Sequence, residues 1–479
     1  MEHTRAKWGS NFGFLMAAIG SAVGLGNIWG FPYKMGANGG FAFLLLYLLL
    51  AAFVGFAVML GELALGRKSG RGPVGTYALL SKRFKWVGWM GVLSGFFIMA
   101  FYTVLGGYCI KYMVLNIGDM FGAGFGSGAF ADAGALFGAF ITNPLEGVIY
   151  TVIFLAITMV IVMGGIKGGI ENFSKIAMPA LFVMLVITII RSVTLPGAVE
   201  GLIFMFKPNF KPIQENFMQV LAVAGGQMFF SLSLGMGCMM TYGSYLSKKE
   251  NLEKNSILII VADTIVAILA GVAVLPAAFA LGGEGAAMAG PSLLFVTLQN
   301  VFGAMGAIGP FFGFLFYLLV LIAAVTSAIS LVEVATTFFL DRAELKGKKN
   351  ASRKKYTLLV SIVMLALATI VAVDGLGSNG LPTPLGLIWI DFFDLWSEGV
   401  MMPLGAMLMA LFIGYEYRVK KVENGVTMDG MLLEGEVTES GYRFRSRGFF
   451  DVCCKVIVPI AMAFILLVQI DGFFGLGIF

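Results

Sequence analysis

The sequence predicts an all-α protein that crosses a membrane many times, and three observations carry the prediction. Of its 479 residues, 59% are hydrophobic and only 12% charged, against about 25% charged in an ordinary soluble domain. The mean hydropathy is +0.91. Apolar runs of about 20 residues, the length that spans a bilayer, recur along the whole chain, and lysine and arginine gather in alternate connections between them.

Eleven spans can be placed in order. The first, over 11–35, follows the polar stretch Met1–Lys7. The second, 41–66, stops at the basic group 67–85, and the third, 87–115, begins beyond it. The fourth and fifth, 147–164 and 170–190, enclose Lys167 and Lys175 at their shared turn. The sixth, 217–246, ends before Lys248, Lys249 and Lys254, and the seventh, 256–281, starts after them. The run Arg342–Lys355 separates the eighth, 309–340, from the ninth, 356–373. The charged segment Arg418–Lys455 lies between the tenth, 384–415, and the eleventh, 449–473. All but five of the 32 Lys and Arg then fall on one side, the exceptions being Lys34, Lys111, Arg191, Lys207 and Lys211. The positive-inside rule makes that side cytoplasmic. The expected topology in the cell membrane has the N-terminus inside and the C-terminus outside.

Nearly every segment belongs to this one array, so a single membrane domain is expected over 1–479. The Gly/Ala-rich connection 116–146 shows no pattern that would demand structure, and 416–448 reads as a cytoplasmic loop or short ordered pieces. The first apolar run is too long for the core of a signal peptide, and no small-residue cleavage pattern follows it, so it is expected to stay. Cys109, Cys238, Cys453 and Cys454 lie in or beside spans and supply neither a disulfide framework nor metal spacing. The one histidine, His3, excludes a histidine-built zinc site. No nucleophile–base pair appears, and an enzyme is not expected.

Two spans break the helical rule. The first reads "GSAVGLGNIWGFP" over 20–32, and the sixth reads "FFSLSLGMG" over 229–237. Glycine disfavours a helix interior by about 1 kcal/mol relative to alanine, and a backbone opened in hydrocarbon leaves groups costing several kcal/mol each unless they line a cavity. Close helix packing through Gly20-x-x-x-Gly24 or Gly26-x-x-x-Gly30 is the competing explanation. If spans one to five and six to ten are two halves of opposite orientation, the breaks occupy equivalent positions. Paired breaks in inverted halves point to a transporter's central site. Freed carbonyls can take a cation, and the amides of a half-helix N-terminus can take a carboxylate.

The same stretches, with "NGGFAFLLLY", "TYGSY" and "AAVTSAIS", resemble the neurotransmitter:sodium symporter family in its bacterial amino-acid-transporter branch, over the first ten spans. The resemblance implies the five-plus-five inverted-repeat transporter fold with broken helices 1 and 6 (repeats about 11–190 and 217–415, the eleventh span being extra) and sodium-driven amino-acid uptake by alternating access. Two Na+ ions, an amino acid and the lipid bilayer are the implied partners, with no organic cofactor and no nucleic acid.

By that resemblance a first sodium ion would meet the Ala22 carbonyl, Asn27, Ser231, Asp263 and the substrate carboxylate. A second would meet the carbonyls of Gly20, Val23 and Ala323 and the hydroxyls of Thr326 and Ser327. From the residues alone, Ala323 and Thr326 share a helix face at i, i+3, although mid-span hydroxyls also bond their own helix carbonyls. Asp263 costs roughly 2.5–3.5 kcal/mol to insert at mid-span, which makes it a functional candidate by default; a partner in a buried ion pair is the alternative. Many family members have asparagine there and recruit chloride through a serine one turn later. That later position is Ala267 in this chain, although Tyr47, Gln227 and Ser231 of the chloride pattern remain. Chloride-independent transport follows as an expectation, with a proton neutralising Asp263 in the empty carrier.

The substrate carboxylate would meet the Leu25 and Gly26 amides and the Tyr102 hydroxyl. Its ammonium would meet carbonyls around Ala22 and Phe230, with Ser327 nearby. Ser21, Ile98, Phe230, Met236 and Leu331 would line the side-chain pocket. None is charged, so neutral hydrophobic or aromatic amino acids are favoured, with a small-amino-acid or osmolyte carrier, or a sensor that binds without translocating, as alternatives. Arg5 and Asp341 match the family's cytoplasmic gate. Asp394 matches the outer acidic partner, but Gly30 stands where the arginine belongs, and Lys34, one turn on, is the candidate substitute. Gly169 and Pro179 match the motif linked to unwinding of the fifth span. Glu62 is expected to brace the unwound segments.

Overall fold

The computed structural model describes residues 6–122, 132–287, 290–348, 351–416, 421–423, 426–428, 432–438 and 441–478. Apart from one two-stranded hairpin, Lys421–Glu423 against Val426–Met428, the regular elements among them are helical. Nine of these helices are long and apolar enough to cross a membrane. A tenth crossing is the bent pair Asn11–Ala22 and Gly26–Ala37, whose halves meet at 46°. The predicted sixth span is present as Lys211–Ser231 followed by Cys238–Gly243, neither piece long and apolar enough alone.

The other spans are Phe41–Ser69, Lys85–Met120, Pro144–Met163, Ile166–Val193, Leu252–Ala280, Gly306–Leu345, Arg353–Asp374, Trp389–Glu416 and Arg447–Phe474. Most begin up to a turn before the predicted start, whereas the tenth, expected from 384, begins only at Trp389. Burial sorts the bundle into layers. The most apolar stretches of the second, third and eighth spans are 72–83% buried, while those of the fourth, fifth, ninth and eleventh are only 28–39% buried. The outer four present Val160, Ile176, Ile362 and Ile460 to the surroundings, as lipid-facing helices should.

Helices also occur in connections where the sequence showed no clear period. Ala133–Ile141 falls inside the stretch left without structure, and Ala198–Phe206 and Leu298–Ala304 are further examples. Each packs one apolar side into the bundle end; Phe137 and Phe140, for instance, close around Tyr108 and Phe295. Tertiary burial holds these short helices, and a nine-residue Gly/Ala/Phe run does not advertise it.

At the basic end of the bundle, part of the 416–448 insertion is ordered as the helix Leu432–Thr438. Its Glu436 carboxylate is buried, accepting from Arg67 Nε at 2.8 Å and Lys248 Nζ at 2.7 Å. The Arg67 guanidinium also donates to the Ser247 and Glu250 carbonyls at 3.2 and 2.7 Å. Downstream, the Arg445 and Ser446 amides donate to Glu253. The insertion therefore ties the ends of the second, sixth and seventh spans together.

Removing one partner of a buried pair leaves an uncompensated charge. Arg67→Met is expected to lower stability by up to about 3–5 kcal/mol, moderated by Lys248. Arg67→Met with Glu436→Met should recover part of that loss. Thermal unfolding of the two purified variants in detergent checks the order.

Candidate functional site

The first helix stops where its backbone turns extended at Val23, φ −74° and ψ 100°. Asn27 caps the second half from within, its Oδ1 accepting from the Gly24 amide at 3.0 Å. The groups freed by the break are taken by side chains of other spans. Tyr102 Oη accepts from the Leu25 amide at 3.1 Å, Gln227 Nε2 donates to the Gly26 carbonyl at 2.7 Å, and Ser233 Oγ donates to the Ser21 carbonyl at 2.7 Å. Gly24 is obligatory by contact: a Cβ there would lie 2.3 Å from Ser327 Oγ and 2.6 Å from Tyr102 Oη.

The sixth span opens over 232–237. Gly235 and Gly237 take φ of 77° and 76°, and Ser233 takes 53°, the left-handed region that glycine enters freely and other residues rarely do. Glu62 of the second span, 2% exposed, accepts from the Gly235 amide at 2.7 Å and the Met240 amide at 3.2 Å. A buried carboxylate thus holds the start of the second half-helix.

Asp263 stands beside the first break and is completely buried. Its oxygens accept from Asn27 Nδ2 at 2.7 Å, Ser231 Oγ at 2.9 Å and Tyr47 Oη at 3.3 Å. These partners are neutral, so the structure places it in a hydrogen-bonded nest, with no ion pair among the described residues. Oxygen-rich surroundings of this kind suit a hard cation. The second predicted cluster also assembles. Ser327 Oγ donates to the Gly20 and Val23 carbonyls at 3.3 and 3.4 Å. Thr326 Oγ1 donates to the Ile322 and Ala323 carbonyls at 3.1 and 2.9 Å, which is the own-helix bonding weighed from the sequence.

Between the breaks lies a cavity of about 270 Å³ of empty volume. It is lined by Ser21, Ala22, Gly24, Gly26, Ile98, Tyr102, Phe230, Ser233, Met236, Ser327 and Leu331. Gly24 and Ser233 are additions to the predicted set. Leu25 and Ser231 do not line the cavity: the Leu25 side chain is in the core, and the Ser231 hydroxyl turns to Asp263, within the first expected ion cluster. The Leu25 amide still lies against Tyr102, so the two expected carboxylate ligands are adjacent.

Phe230 also lines a larger vestibule of about 1260 Å³ of empty volume, so its ring, 6.5 Å from that of Phe101, separates the two spaces. Lys34, Asp391, Asp394 and Glu398 line the vestibule. The Lys34 ammonium forms its ion pair with Glu398, with Asp394 within electrostatic reach of both. Gln227 occupies the room beside Gly30, where a Cβ would meet its Oε1 at 2.9 Å.

The opposite end is closed. Trp8 donates to the Tyr242 carbonyl at 3.1 Å and packs edge-on to Tyr242 and Tyr245. Tyr245 Oη donates to Glu333 Oε1 at 2.7 Å, and Glu333 pairs with Arg353. Asp341 accepts from the Gly72 amide at 2.8 Å; its expected partner Arg5 lies outside the described residues. Glu171, inside the Ile166–Glu171 stretch that contains Gly169, accepts from the Gly9 amide at 2.6 Å and from Ser10 Oγ at 3.1 Å. Pro179 follows within the helix Asn172–Val193. Sequence reasoning missed Glu171, Glu333 and Glu398. The rule that flagged Asp263, an ionisable residue inside an apolar span, would have found Glu333 and Glu398.

The model of the sodium:neurotransmitter symporter family matches residues 5–121 and 145–476. An uncharacterized sodium-dependent transporter of Bacillus subtilis, YhdH, is 36% identical over 86% of this chain and 88% of its own. The sodium-dependent neutral amino acid transporter B(0)AT3 of Mus musculus is 34% identical over 57% of this chain and 48% of its own length. The crystal structure of MhsT in complex with L-phenylalanine superimposes with a TM-score of 0.84 at 36% identity, covering 97% of this chain and all of that one.

Glu62→Ala would strip two amides of their acceptor, each costing about 1–3 kcal/mol when buried unpaired, while Glu62→Gln keeps one acceptor. Thermal unfolding in detergent should rank wild type above Glu62→Gln above Glu62→Ala.

Proposed function

The chain belongs to the sodium:neurotransmitter symporter family, a family of sodium-dependent transporters and not of enzymes, and from that premise we propose that it imports neutral, hydrophobic or aromatic L-amino acids with sodium. The carrying observation is Asp263, a buried carboxylate held only by neutral donors at the mouth of a broken helix.

In this reading the first ion binds among the Ala22 carbonyl, Asn27, Ser231, Asp263 and the substrate carboxylate. The second binds among Gly20, Val23, Ala323, Thr326 and Ser327. Substrate and first ion then share a contact, which couples their binding. The amino group meets the Ala22 and Phe230 carbonyls, and the carboxylate meets the Leu25 and Gly26 amides and Tyr102. The uncharged walls, Ile98, Met236, Phe230 and Leu331, and the phenylalanine in the MhsT complex support a hydrophobic or aromatic side chain.

The vestibule end faces outward and the basic end faces the cytoplasm, in keeping with the distribution of lysine and arginine. Phe230 covers the loaded site from outside, while Trp8, Asp341 and the Glu333–Arg353 pair close it from inside. Asp263 supplies the fixed negative charge that other members take from chloride. Local unwinding between Gly169 and Pro179 opens the second ion's route inward, since proline there already lacks a backbone bond.

Sodium-dependent amino-acid binding by the purified protein should persist when gluconate replaces chloride, whereas its abolition would refute chloride independence. Asp263→Asn should raise the sodium needed for half-saturation by roughly 10-fold or more, the worth of a charge-assisted contact. Pro179→Ala should slow uptake into liposomes on the order of tenfold, because a regular helix resists unwinding by up to about 3 kcal/mol more, with equilibrium binding little changed. Weakened binding at unchanged turnover would count against that role.

A further inference from the structure

The hydroxyl groups beneath the cavity can be followed proton by proton. Ser330 Oγ donates to the Ser327 carbonyl at 2.7 Å, which uses its one proton. The 2.7 Å contact between Ser21 Oγ and Ser330 Oγ must therefore carry the Ser21 proton. Ser233 Oγ donates to the Ser21 carbonyl at 2.7 Å, so its proton is used too. A serine hydroxyl has one donor and two acceptor sites. Ser21 and Ser233 both line the cavity, and each retains only lone pairs.

The surrounding groups do not alter that balance. Ile98, Met236, Phe230 and Leu331 are apolar. Cys238, beside Ser21 and Ser330, is a weak S–H donor and a weak acceptor, and neither displaces the 2.7 Å contact between the two serines. Reversing the Ser21 proton would require Ser330 to abandon the Ser327 carbonyl. A side chain ending in an acceptor would set lone pair against lone pair, and a hydrocarbon end would leave the free lone pairs of Ser21 Oγ facing hydrocarbon.

We propose that the cavity selects neutral amino acids whose largely apolar side chain carries an N–H or O–H donor, an indole or a phenol, and that Ser21 Oγ is the acceptor that reads it. This rests on the reading that the cavity holds the amino acid. The discrimination is between isosteres, because apolar shape alone fits donor and non-donor rings equally. One neutral hydrogen bond is worth about 3- to 10-fold in affinity.

Sodium-dependent binding to the purified full-length protein tests it with matched ligands: tryptophan against benzothienylalanine, in which sulfur replaces the indole N–H, and tyrosine against phenylalanine. In the wild type, tryptophan and tyrosine should each bind about 3- to 10-fold more tightly than their counterparts, and Ser21→Ala should bring both ratios to about one. Equal affinities in the wild type would overturn the proposal without a variant, as would ratios that survive Ser21→Ala. Sodium-dependent binding of none of the four would refute the reading that the cavity takes a hydrophobic or aromatic amino acid, and this inference with it.

Discussion

A peptide group released from a helix at the depth of the lipid core must find another partner, and the rest of this structure is arranged around that requirement. Two spans are broken, and their freed groups are taken by side chains that the second, third, sixth and eighth spans deliver. Tyr102 accepts the Leu25 amide, Gln227 donates to Gly26, Ser327 reaches Gly20 and Val23, and Glu62 takes the Gly235 and Met240 amides. Each unpaired group would cost several kcal/mol in hydrocarbon, so the breaks exist only because the bundle around them is complete. Among the nine unbroken spans the second, third and eighth are accordingly the most buried.

In the proposed reading the same arrangement places ion ligands and substrate ligands on shared residues. Ser327 touches the second cation cluster and also lines the cavity, while Asn27 caps the broken helix and donates to Asp263. A ligand arriving at one group therefore changes the partners available at the next, which is the physical content of coupling. The proposed transport cycle adds a second requirement. The vestibule reaches Phe230 from one end, while the other end is shut by Trp8, Tyr245 and the Glu333–Arg353 pair. Opening that end means separating a buried ion pair and several hydrogen bonds. The insertion that joins Arg67, Lys248 and Glu253 braces the neighbouring span ends, so these ends would move as a unit.

Much of the site was legible because its signals are local. Glycine clusters in "GSAVGLGNIWGFP" and "FFSLSLGMG" mark weakened helix wherever the chain goes, and Asp263 is conspicuous in any apolar run. The outer ion pair was only half legible. Lys34 stood out beside Gly30, but its partner is Glu398, and nothing local distinguishes Glu398 from Asp394 one turn earlier. Glu171 and Glu333 were passed over because their partners, the Gly9 amide, Tyr245 and Arg353, are distant in sequence or belong to another span.

Hydropathy, charge and glycine placement by themselves determined the membrane class, the positions of the spans, the two interruptions and the buried aspartate, since each is a property of ten to twenty consecutive residues transferred from water to lipid. Tertiary structure alone decided which hydroxyl receives which carbonyl, that Ser21 and Ser233 are left as acceptors, that Phe230 parts cavity from vestibule, and which helices line the connections. Those outcomes depend on contacts such as Ser21 with Ser330 or Asn27 with Asp263, hundreds of residues apart. Such a contact costs the chain loop-closure entropy, and only the packed bundle offsets it.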